Sequence, residues 1–329
     1  MKKVLILFGG NSFEHLVSCK SAKSILENID YKKFNVTACG INKNNEFYIY
    51  SDSLEYLNDG SWINCSSNKK IDNINEFINS FDVIFPIIHG KYGEDGKLQG
   101  MLDVLNKKYV GSNLISNAIC MDKVVTKIIC EYYGIKQVDY MILKENKIDI
   151  KLFENKIGYP AIIKPSNGGS SIGITIANNK KELVSSIDNA FLYDDTVVIE
   201  KFITARELEC AVLEDKKIKT SSVGEIKSIN SFYDYEAKYE KDSELIIPAD
   251  IKKFVEKQIK ETSLKIFKIL GCKDFSRVDF LYDEKNNKLY FNEINTIPGF
   301  TTISMFPKLF EYDKIKYKDL ITKLILNNL

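Results

Sequence analysis

The stretch RVDFLYDEKNNKLYFNEINTIPG, residues 277–299, contains the pattern on which the prediction of the fold and site rests. Its apolar runs RVDFLY and LYFNEIN, separated by the polar turn DEKNNK, are typical of a β-hairpin. Because side chains alternate along a strand, Asp279 on the first strand and Glu293 and Asn295 on the second are expected to point to one face. Three oxygen donors on a rigid ladder suit a hard cation such as Mg²⁺.

Two neighbours of this hairpin favour a binding site over its alternative, a solvated hairpin with ordinary surface charges. Arg277 lies two residues before Asp279, so it is expected on the same face, where its guanidinium offers a fixed fork of donors to an anion. The sequence NTIPGFTT, which begins at Asn295, is typical of a Gly/Pro loop that leaves the acidic strand directly.

Composition limits the class of protein. The 329 residues predict two or three domains, and 44% hydrophobic with 28% charged residues is ordinary for a soluble globular chain. A net charge of +1 indicates neither a nucleic-acid nor a membrane partner. No apolar run approaches the ~20 residues of a membrane span. The seven cysteines are scattered without a C-x-x-C pair, which argues against disulfides or a zinc site and predicts a reducing, cytoplasmic location.

The N-terminal third alternates predicted strands and helices. Residues 4–8 (VLILF), too short an apolar run for a signal peptide, predict a buried strand that ends in a Gly-Gly turn and a helix over about 18–28. Residues 34–41 and 82–88 predict further strands, and HGKYGEDG follows the latter before another helix. This alternation predicts an α/β domain with a parallel sheet and functional loops at the carboxyl ends of its strands.

Both histidines of the chain, His15 and His89, lie in these glycine-containing loops, each close to a glutamate. A histidine in a turn is commonly structural, whereas two in equivalent loops beside acids also fit a binding site. The sequence leaves both interpretations open.

A second α+β unit follows a predicted helix over about 119–133. Lys164 lies on a predicted strand before the loop SNGGSSIG, which contains Ser170 and Ser171. The backbone N–H groups and hydroxyls of such a loop can fold over phosphates, with Lys164 as a point charge, although the Walker pattern is absent. The alternative is a mobile Gly/Ser hairpin without a ligand.

The next segments are less specific. The strand that ends in Glu200-Lys201-Phe-Ile203, followed by Glu207, is compatible with an adenine and ribose cradle or with a plain edge strand. Residues 230–248 predict an ordered loop of the kind that serves as a lid. Helices are predicted over 250–270 and about 313–328.

Taken together, these loops resemble those of the ATP-grasp enzymes and, within them, of the D-alanine:D-alanine ligase family. The resemblance covers nearly the full length and rests on loops in the family's order: GGNSFEHLVS, HGKYGEDGKLQG, YVGS, MDK, IIKPSNGGSSIGI, IEKFI, RELE, FYDYEAKY, SRVDF and NEINTIPGFTTISMFP. It implies an ATP-grasp fold, α/β and α+β, with an N-terminal parallel-sheet domain. The implied domains are residues 1–118, a central subdomain 119–203 with the Gly/Ser loop, and a C-terminal subdomain 204–329 with the metal site.

The resemblance also implies a reaction. ATP would phosphorylate the carboxylate of one D-alanine, and the amine of a second would attack the acyl phosphate to give D-alanyl-D-alanine for peptidoglycan synthesis in a bacterial cytoplasm. Two Mg²⁺ or Mn²⁺ ions would neutralise the meeting anions, as in other phosphoryl transfers. The family further implies a homodimer, with only small molecules as other partners.

Site residues carried over from the family fall into four groups. The implied ligands of the two metal ions are Asp279, Glu293 and Asn295, with Glu293 bridging. The implied ATP contacts are Lys123, Lys164, Ser170, Ser171, Glu200, Lys201, Ile203, Glu207 and Phe232. The first D-alanine and the oxyanion would be handled by Glu14, Ser170, Tyr239, Arg277 and Gly299. The second D-alanine would meet His89, Ser304 and Met305, with Lys238 and Tyr239 closing over it.

Departures from the family keep one alternative open. Phe13 and Leu16 replace smaller or polar residues and Lys91 replaces a common proline, and residues 58–62 resemble relatives that make D-alanyl-D-serine. Those relatives tend to carry Arg at the position of Met305, where an apolar side chain suits a methyl group. The sequence therefore favours D-alanine over D-serine. Another ATP-grasp carboxylate–amine ligase and a non-catalytic ATP-binding regulator are the remaining alternatives.

Overall fold

The computed structural model describes residues 1–228 and 243–329, which form three β-sheets flanked by helices. The N-terminal sheet has the order β4-β3-β2-β1-β5, in which β1 runs parallel to β2 and β5 while β3 and β4 are antiparallel. Its elements are β1 (Lys2–Gly9), α1 (His15–Asn28), β2 (Phe34–Ile41), β3 (Phe47–Tyr50), β4 (Lys69–Lys70), α2 (Ile74–Asn79), β5 (Val83–Pro86) and α3 (Lys97–Val104). The predicted parallel sheet is confirmed.

Strand β1 shows why this sheet forms. Its residues Val4–Phe8 have no exposed surface, as expected of a central parallel strand covered on both faces. The strand ends at Gly9 and Gly10, both with φ +88°, and a Cβ at Gly9 would collide with the Ile41 carbonyl. This turn directs the chain into α1, which begins earlier than predicted, at His15.

The central sheet is antiparallel, with the order β6-β9-β7-β8. This part of the chain contains α4 (Leu114–Met121), α5 (Lys123–Tyr132), β6 (Tyr140–Leu143), α6 (Ile150–Lys156), β7 (Ala161–Pro165), β8 (Thr175–Ala177), α7 (Lys180–Ala190) and β9 (Val197–Lys201). The Gly/Ser loop joins β7 to its hairpin partner β8, as predicted.

The C-terminal sheet is also antiparallel, with the order β12-β11-β10-β13-β14. Its elements are β10 (Arg206–Glu214), β11 (Ile218–Ser228), β12 (Ser243–Ile246), α8 (Lys253–Ile269), β13 (Phe275–Asp283), β14 (Lys288–Asn295), α9 (Met305–Tyr312) and α10 (Tyr317–Leu326). Strands β13 and β14 are the predicted hairpin. Within the described residues, no helix is both long and apolar enough to cross a membrane.

Two helix predictions are wrong in their bounds. The single helix predicted over 119–133 is two helices, because Asp122 has extended backbone angles and its carboxylate accepts the N–H groups of Val124 and Val125 as the N-cap of α5. The helix predicted over 313–328 begins only at Tyr317, since α9 ends at Tyr312 and Lys314 adopts φ +68° between the two.

The cores cross the predicted domain boundaries. Helices α9 and α10 pack with the N-terminal sheet and with Ala211 and Leu213 of β10 in one hydrophobic cluster. Cys130 of α5 belongs to the cluster of α8 and the C-terminal sheet. The loops of the three sheets are thereby held around a common space.

Candidate active site

A cavity of about 420 Å³ lies where loops from all three sheets meet. Its wall includes most of the predicted polar site residues of the described chain, together with two acids that the sequence did not single out. Lining side chains include Glu14, His89, Glu94, Lys123, Ser170, Ser171, Glu209, Arg277, Glu293, Asn295, Ser304 and Met305, and the Gly299 backbone joins them. A smaller cavity of about 30 Å³ is lined by Glu207, Glu209, Asp279 and Glu293.

Glu14 connects the N-terminal domain to the Gly/Ser loop. Ser170 Oγ donates a hydrogen bond of 2.5 Å to Glu14 Oε1, although the two residues are 156 positions apart. A Cβ on Gly90 or Gly169 would collide with Glu14 Oε2, so glycine at both positions lets two backbones approach the carboxylate. The carboxylate is thereby placed at the wall of the cavity, where it could meet a substrate cation.

The base of the Gly/Ser loop is tied to the start of α5. Ser166 Oγ donates to the Asp122 carboxylate at 2.6 Å, and Lys123 N–H donates to the Ser166 carbonyl at 3.0 Å. Lys123 Nζ reaches the Gly168 carbonyl at 2.6 Å. Lys123 therefore lies at the loop predicted to cover phosphates.

The hairpin brings the predicted metal ligands together on one face. Asp279 is paired with Glu293 across the strands, and Asn295 Nδ2 donates to Asp279 Oδ2 at 2.9 Å. Arg277 donates to both Asp279 oxygens through Nε and Nη2, at 2.8 and 2.7 Å, and its Nε also lies 2.9 Å from Glu209 Oε2. Burial opposes the charged form, but Asp279 and Glu209 raise the pKa of Arg277 well above its ordinary value. Arg277 is therefore a permanent cation held between two carboxylates.

The donor set fits a hard divalent cation by its chemistry. Glu207, Glu209, Asp279 and Glu293 line one small cavity, and carboxylate and amide oxygens are the ligands that Mg²⁺ takes in proteins. In the described ranges, no three His, Cys, Asp or Glu side chains are already grouped to hold a metal ion. In this arrangement, Arg277 donates to both oxygens of the Asp279 carboxylate. Glu209 was missed by the sequence analysis, although its i, i+2 spacing from Glu207 on a strand was a signal.

Glu200, predicted at the adenine, forms two buried ion pairs in this structure, and its contact with the base stays a prediction. Its side chain is 2% exposed, and its two oxygens are taken by Lys127 Nζ at 2.6 Å and Lys164 Nζ at 2.7 Å. Lys127 was missed, although it follows Lys123 by one helical turn. Of the other residues predicted beside the base, Lys201 is exposed and Ile203 half-buried, and neither lines the two cavities.

The two histidines have mainly structural contacts. His89 Nδ1 lies 2.9 Å from the Ile297 carbonyl, which can only accept, so this nitrogen carries the proton and Nε2 accepts from Ser21 Oγ at 2.9 Å. Burial lowers the pKa of His89, which keeps the ring neutral. His15 contacts the Gly10 carbonyl at 2.7 Å and accepts from Trp62 Nε1 at 3.3 Å. The structural interpretation of these loops is favoured, while the predicted place of His89 at the second substrate stays a prediction.

Glu94 is the second acid that the sequence did not identify as a site residue. Its carboxylate accepts the Gly90 N–H at 2.7 Å and the Ile297 N–H at 3.0 Å. Burial and the nearby Glu14 raise the pKa of Glu94 to about 8. Glu94 and His89 thus hold both sides of Ile297, in the loop that leads to Gly299.

Ser304 and Met305 lie at the start of α9. Ser304 Oγ accepts the Thr301 N–H at 3.1 Å and contacts Thr301 Oγ1 at 2.7 Å. Met305 is 3% exposed, and its sulfur lies so close to Gly224 that a side chain there would displace it. Gly299 and both residues line the same cavity. The predicted Phe232, Lys238 and Tyr239, with most of the predicted lid, lie outside the described residues.

Family models match both halves of the chain. The D-ala D-ala ligase N-terminus model matches residues 3–112, and the D-ala D-ala ligase C-terminus model matches residues 129–326.

Individual proteins agree with these matches. The D-alanine--D-alanine ligase of Clostridium novyi (strain NT) is 44% identical over 98% of this chain and 97% of its own length. D-alanine--D-alanine ligase B of Clostridium tetani (strain Massachusetts / E88) is 43% identical over 98% of this chain and 92% of its own length.

Two solved structures share the fold. VanG D-Ala:D-Ser ligase from Enterococcus faecalis superposes with a TM-score of 0.90 at 35% identity, covering 100% of this chain and 99% of its own. The D-alanine-D-alanine ligase from Coxiella burnetii superposes with a TM-score of 0.86 at 31% identity, covering 99% of this chain and 93% of its own. The expected ATP-grasp architecture is confirmed.

Proposed function

The chain belongs to the D-alanine–D-alanine ligase family, and from this premise we propose that its cavity joins two D-alanines at the expense of ATP. The observation that carries the proposal is the convergence of Glu14, Ser170, Arg277 and Gly299 on one space. A carboxylate for an ammonium, a cation for developing negative charge and a Gly/Ser loop for phosphates are the groups that this chemistry needs.

In the first step, a carboxylate oxygen of one D-alanine attacks the γ-phosphorus of ATP, and ADP leaves. Glu14, braced by Ser170 Oγ at 2.5 Å, binds the ammonium of this D-alanine. Lys123, Lys164 and the Gly/Ser loop with Ser170 and Ser171 bind the phosphates. The resulting acyl phosphate has a good leaving group at its carbonyl carbon.

In the second step, the neutral amine of another D-alanine attacks that carbonyl carbon, the peptide bond forms, and inorganic phosphate leaves with the bonding electron pair and with the proton that the nitrogen gives up. The Arg277 guanidinium and the Gly299 N–H stabilise the oxyanion of the tetrahedral intermediate. Ser304 and Met305 contact the second D-alanine. His89 and Glu94 keep the Gly299 loop in place through Ile297.

The family uses ATP and a divalent metal, and we assign two Mg²⁺ or Mn²⁺ ions to Asp279, Glu293 and Asn295. A divalent ion held there would neutralise the phosphate oxygens and supply electrostatic stabilisation. A metal ion on Asp279 would compete with Arg277, which donates to both oxygens of that carboxylate, and Glu209 Oε2 would remain a contact of the guanidinium.

D-serine at the second position is the alternative, because the VanG D-Ala:D-Ser ligase superposes with a TM-score of 0.90. Met305 argues against it: its buried thioether gives an incoming serine hydroxyl no strong hydrogen-bond partner. D-alanine is therefore the proposed second substrate.

The test measures phosphate release from ATP and Mg²⁺ with D-alanine, D-serine, both together, or L-alanine, with products identified by mass. D-alanine alone is expected to give the dipeptide. A predominant D-alanyl-D-serine product would retain the mechanism and overturn the second-site assignment, and no release with any of them would contradict the ligase assignment.

Further parts of the proposal follow the family. The domains span residues 1–118, 119–203 and 204–329, with ATP between the last two. The protein is a cytoplasmic homodimer that serves peptidoglycan synthesis. Size-exclusion chromatography with light scattering tests the dimer.

A further inference from the structure

Three charged side chains from three elements meet beside the predicted ATP site. Lys127 of α5 contacts Glu200 Oε1 at 2.6 Å, and Lys164 of β7 contacts Glu200 Oε2 at 2.7 Å. The side chains of Lys127, Glu200 and Lys164 are 3%, 2% and 11% exposed. We call this set the lysine–glutamate–lysine cluster.

The cluster holds one more cation than a neutral pair requires. Burying a second ammonium group costs desolvation free energy, and a single lysine would already neutralise the carboxylate. Burial on its own would raise the pKa of Glu200, but Lys127 and Lys164 together lower it to about 2. Burial opposes the charged form of Lys164, but Glu200 together with Glu293 and Glu207 raises its pKa, so the charge of Lys164 is shared with the carboxylates of the proposed metal and ribose sites.

The two lysines have different surroundings. Lys127 is enclosed, and its Nζ lies 5.2 Å from the centre of the Tyr140 ring, so it has an additional fixed contact. Lys164 is the more exposed of the two, precedes the Gly/Ser loop and has Asn292 Oδ1 at 3.5 Å. Of the two, Lys164 is the one that an incoming phosphate can recruit.

We infer that Lys127 is a positioning residue that keeps Glu200 ionised when the phosphates of ATP draw Lys164 away. The inference rests on the proposed function, in which Lys164 binds phosphate. With Lys127 present, Glu200 loses one cation and keeps the other. Without Lys127, the same exchange leaves a buried carboxylate with no cation, and the carboxylate has to take up a proton.

Proton uptake on ATP binding is therefore the decisive measurement. Calorimetric titration of the full-length protein with ATP and Mg²⁺, without D-alanine, is performed at pH 8 in two buffers of different ionisation enthalpy. We expect Lys127→Met to bind ATP at least about 10-fold more weakly than wild type, because protonating the buried carboxylate at pH 8 costs binding free energy. We also expect the Lys127→Met protein to bind as much as one additional proton per ATP, compared with wild type.

Matched variants separate charge from packing. Lys151→Met removes an exposed lysine of α6 and should leave both affinity and proton count unchanged. The double variant Lys127→Met/Glu200→Gln has no carboxylate to protonate, so the additional proton uptake should disappear. If Lys127→Met does not fold, Lys127→Gln keeps a donor toward Glu200, and the same additional proton uptake is expected.

Two results would overturn the inference. Binding of ATP by the Lys127 variant within about twofold of wild type would show that Glu200 needs no second cation. Weaker binding with an unchanged proton count would show that Lys127 only fills space. Failure of wild-type protein to bind ATP would contradict the proposed function instead, so the two failures are distinguishable.

Discussion

Two buried charge clusters of opposite composition lie among the residues of the proposed site. The lysine–glutamate–lysine cluster contains two cations and one anion, whereas Glu209, Arg277 and Asp279 form a cluster of two anions and one cation. We call the second set the carboxylate–arginine cluster. The ion pairs within the two clusters have contacts of 2.6 to 2.9 Å.

The comparison teaches that the surplus charge indicates the ligand. The cluster with an extra cation adjoins the Gly/Ser loop, where phosphates are expected. The cluster with an extra anion contains Asp279, where a divalent cation is expected. If the proposed ligands bind there, Glu200 would keep Lys127 when phosphate takes Lys164, and Arg277 would keep Glu209 when a metal ion takes Asp279, which would avoid the cost of an unpaired buried charge.

The largest effect should come from a ligand shared by the proposed ions. Glu293→Gln should lower kcat by roughly 1000-fold, because the amide cannot supply the bridging negative charge. Steady-state phosphate release measures this, with Lys285→Gln in the exposed hairpin turn as the control. Near-normal turnover would contradict the assignment of Glu293 to the metal site. The proposed contrast between a phosphate-binding and a metal-binding cluster would then lose its support.

The second-largest effect is expected on stability, when Arg277, the single cation of the carboxylate–arginine cluster, is removed. Arg277→Met removes the guanidinium that contacts the buried carboxylates of Glu209 and Asp279, and we expect a loss of about 3–5 kcal/mol in the free energy of unfolding. Arg277→Lys should recover only part of this, because one ammonium group cannot reproduce the forked contacts. Denaturant unfolding measures both variants; equal stability of Arg277→Met and wild type would show that Arg277 does not offset the charge of the two carboxylates.

A smaller effect on stability and activity is expected when Glu209, the second carboxylate on Arg277, is replaced. Glu209→Gln leaves Asp279 in contact with Arg277, so stability should fall by only about 1 kcal/mol. Activity should fall by roughly 10-fold, because Arg277 is then less well placed once the metal takes Asp279. Mn²⁺ binding with ADP, followed by electron paramagnetic resonance, gives a readout without turnover. An unchanged kcat would assign Glu209 to packing alone.

The smallest expected effect contrasts two buried glutamates. Glu200 has two lysines and a pKa of about 2, whereas Glu94 has backbone N–H partners, lies near Glu14 and has a pKa of about 8. A carboxyl whose pKa is raised in the folded state stabilises the fold below its unfolded pKa and loses that contribution as pH rises to about 8.

Glu94→Gln should therefore remove the part of the fall in stability that this carboxyl causes between about pH 4.5 and 8. Denaturant unfolding across that pH range measures the difference between the two proteins. Parallel stability curves for wild type and variant would show that Glu94 is ionised throughout.

Local patterns predicted a large part of this site. The i, i+2 spacing of Arg277, Asp279, Glu293 and Asn295 on two strands fixes which side chains share a face, and the hairpin was confirmed. The Gly/Ser loop was likewise predicted between hairpin strands. The predicted helix bounds were less accurate where a single residue ends one helix and begins the next. Asp122 does this as the N-cap of α5.

Contacts between distant segments could not be predicted from those patterns. Lys127 looked like an ordinary helix lysine, and only the folded chain, which brings it to 2.6 Å from Glu200, makes it a partner of that carboxylate. His89 meets Ile297 across 208 positions, and Glu94 meets the same residue across 203.

The sequence by itself determined the order of the elements, the family and the chemical types of the site residues, because strand alternation and loop composition are local properties of the chain. The tertiary structure alone decided which charges are buried together, and hence that Glu200 is shared by two lysines and Arg277 by two carboxylates. The reason is that desolvation and ion pairing depend on distances between segments far apart in the sequence, which no local pattern encodes.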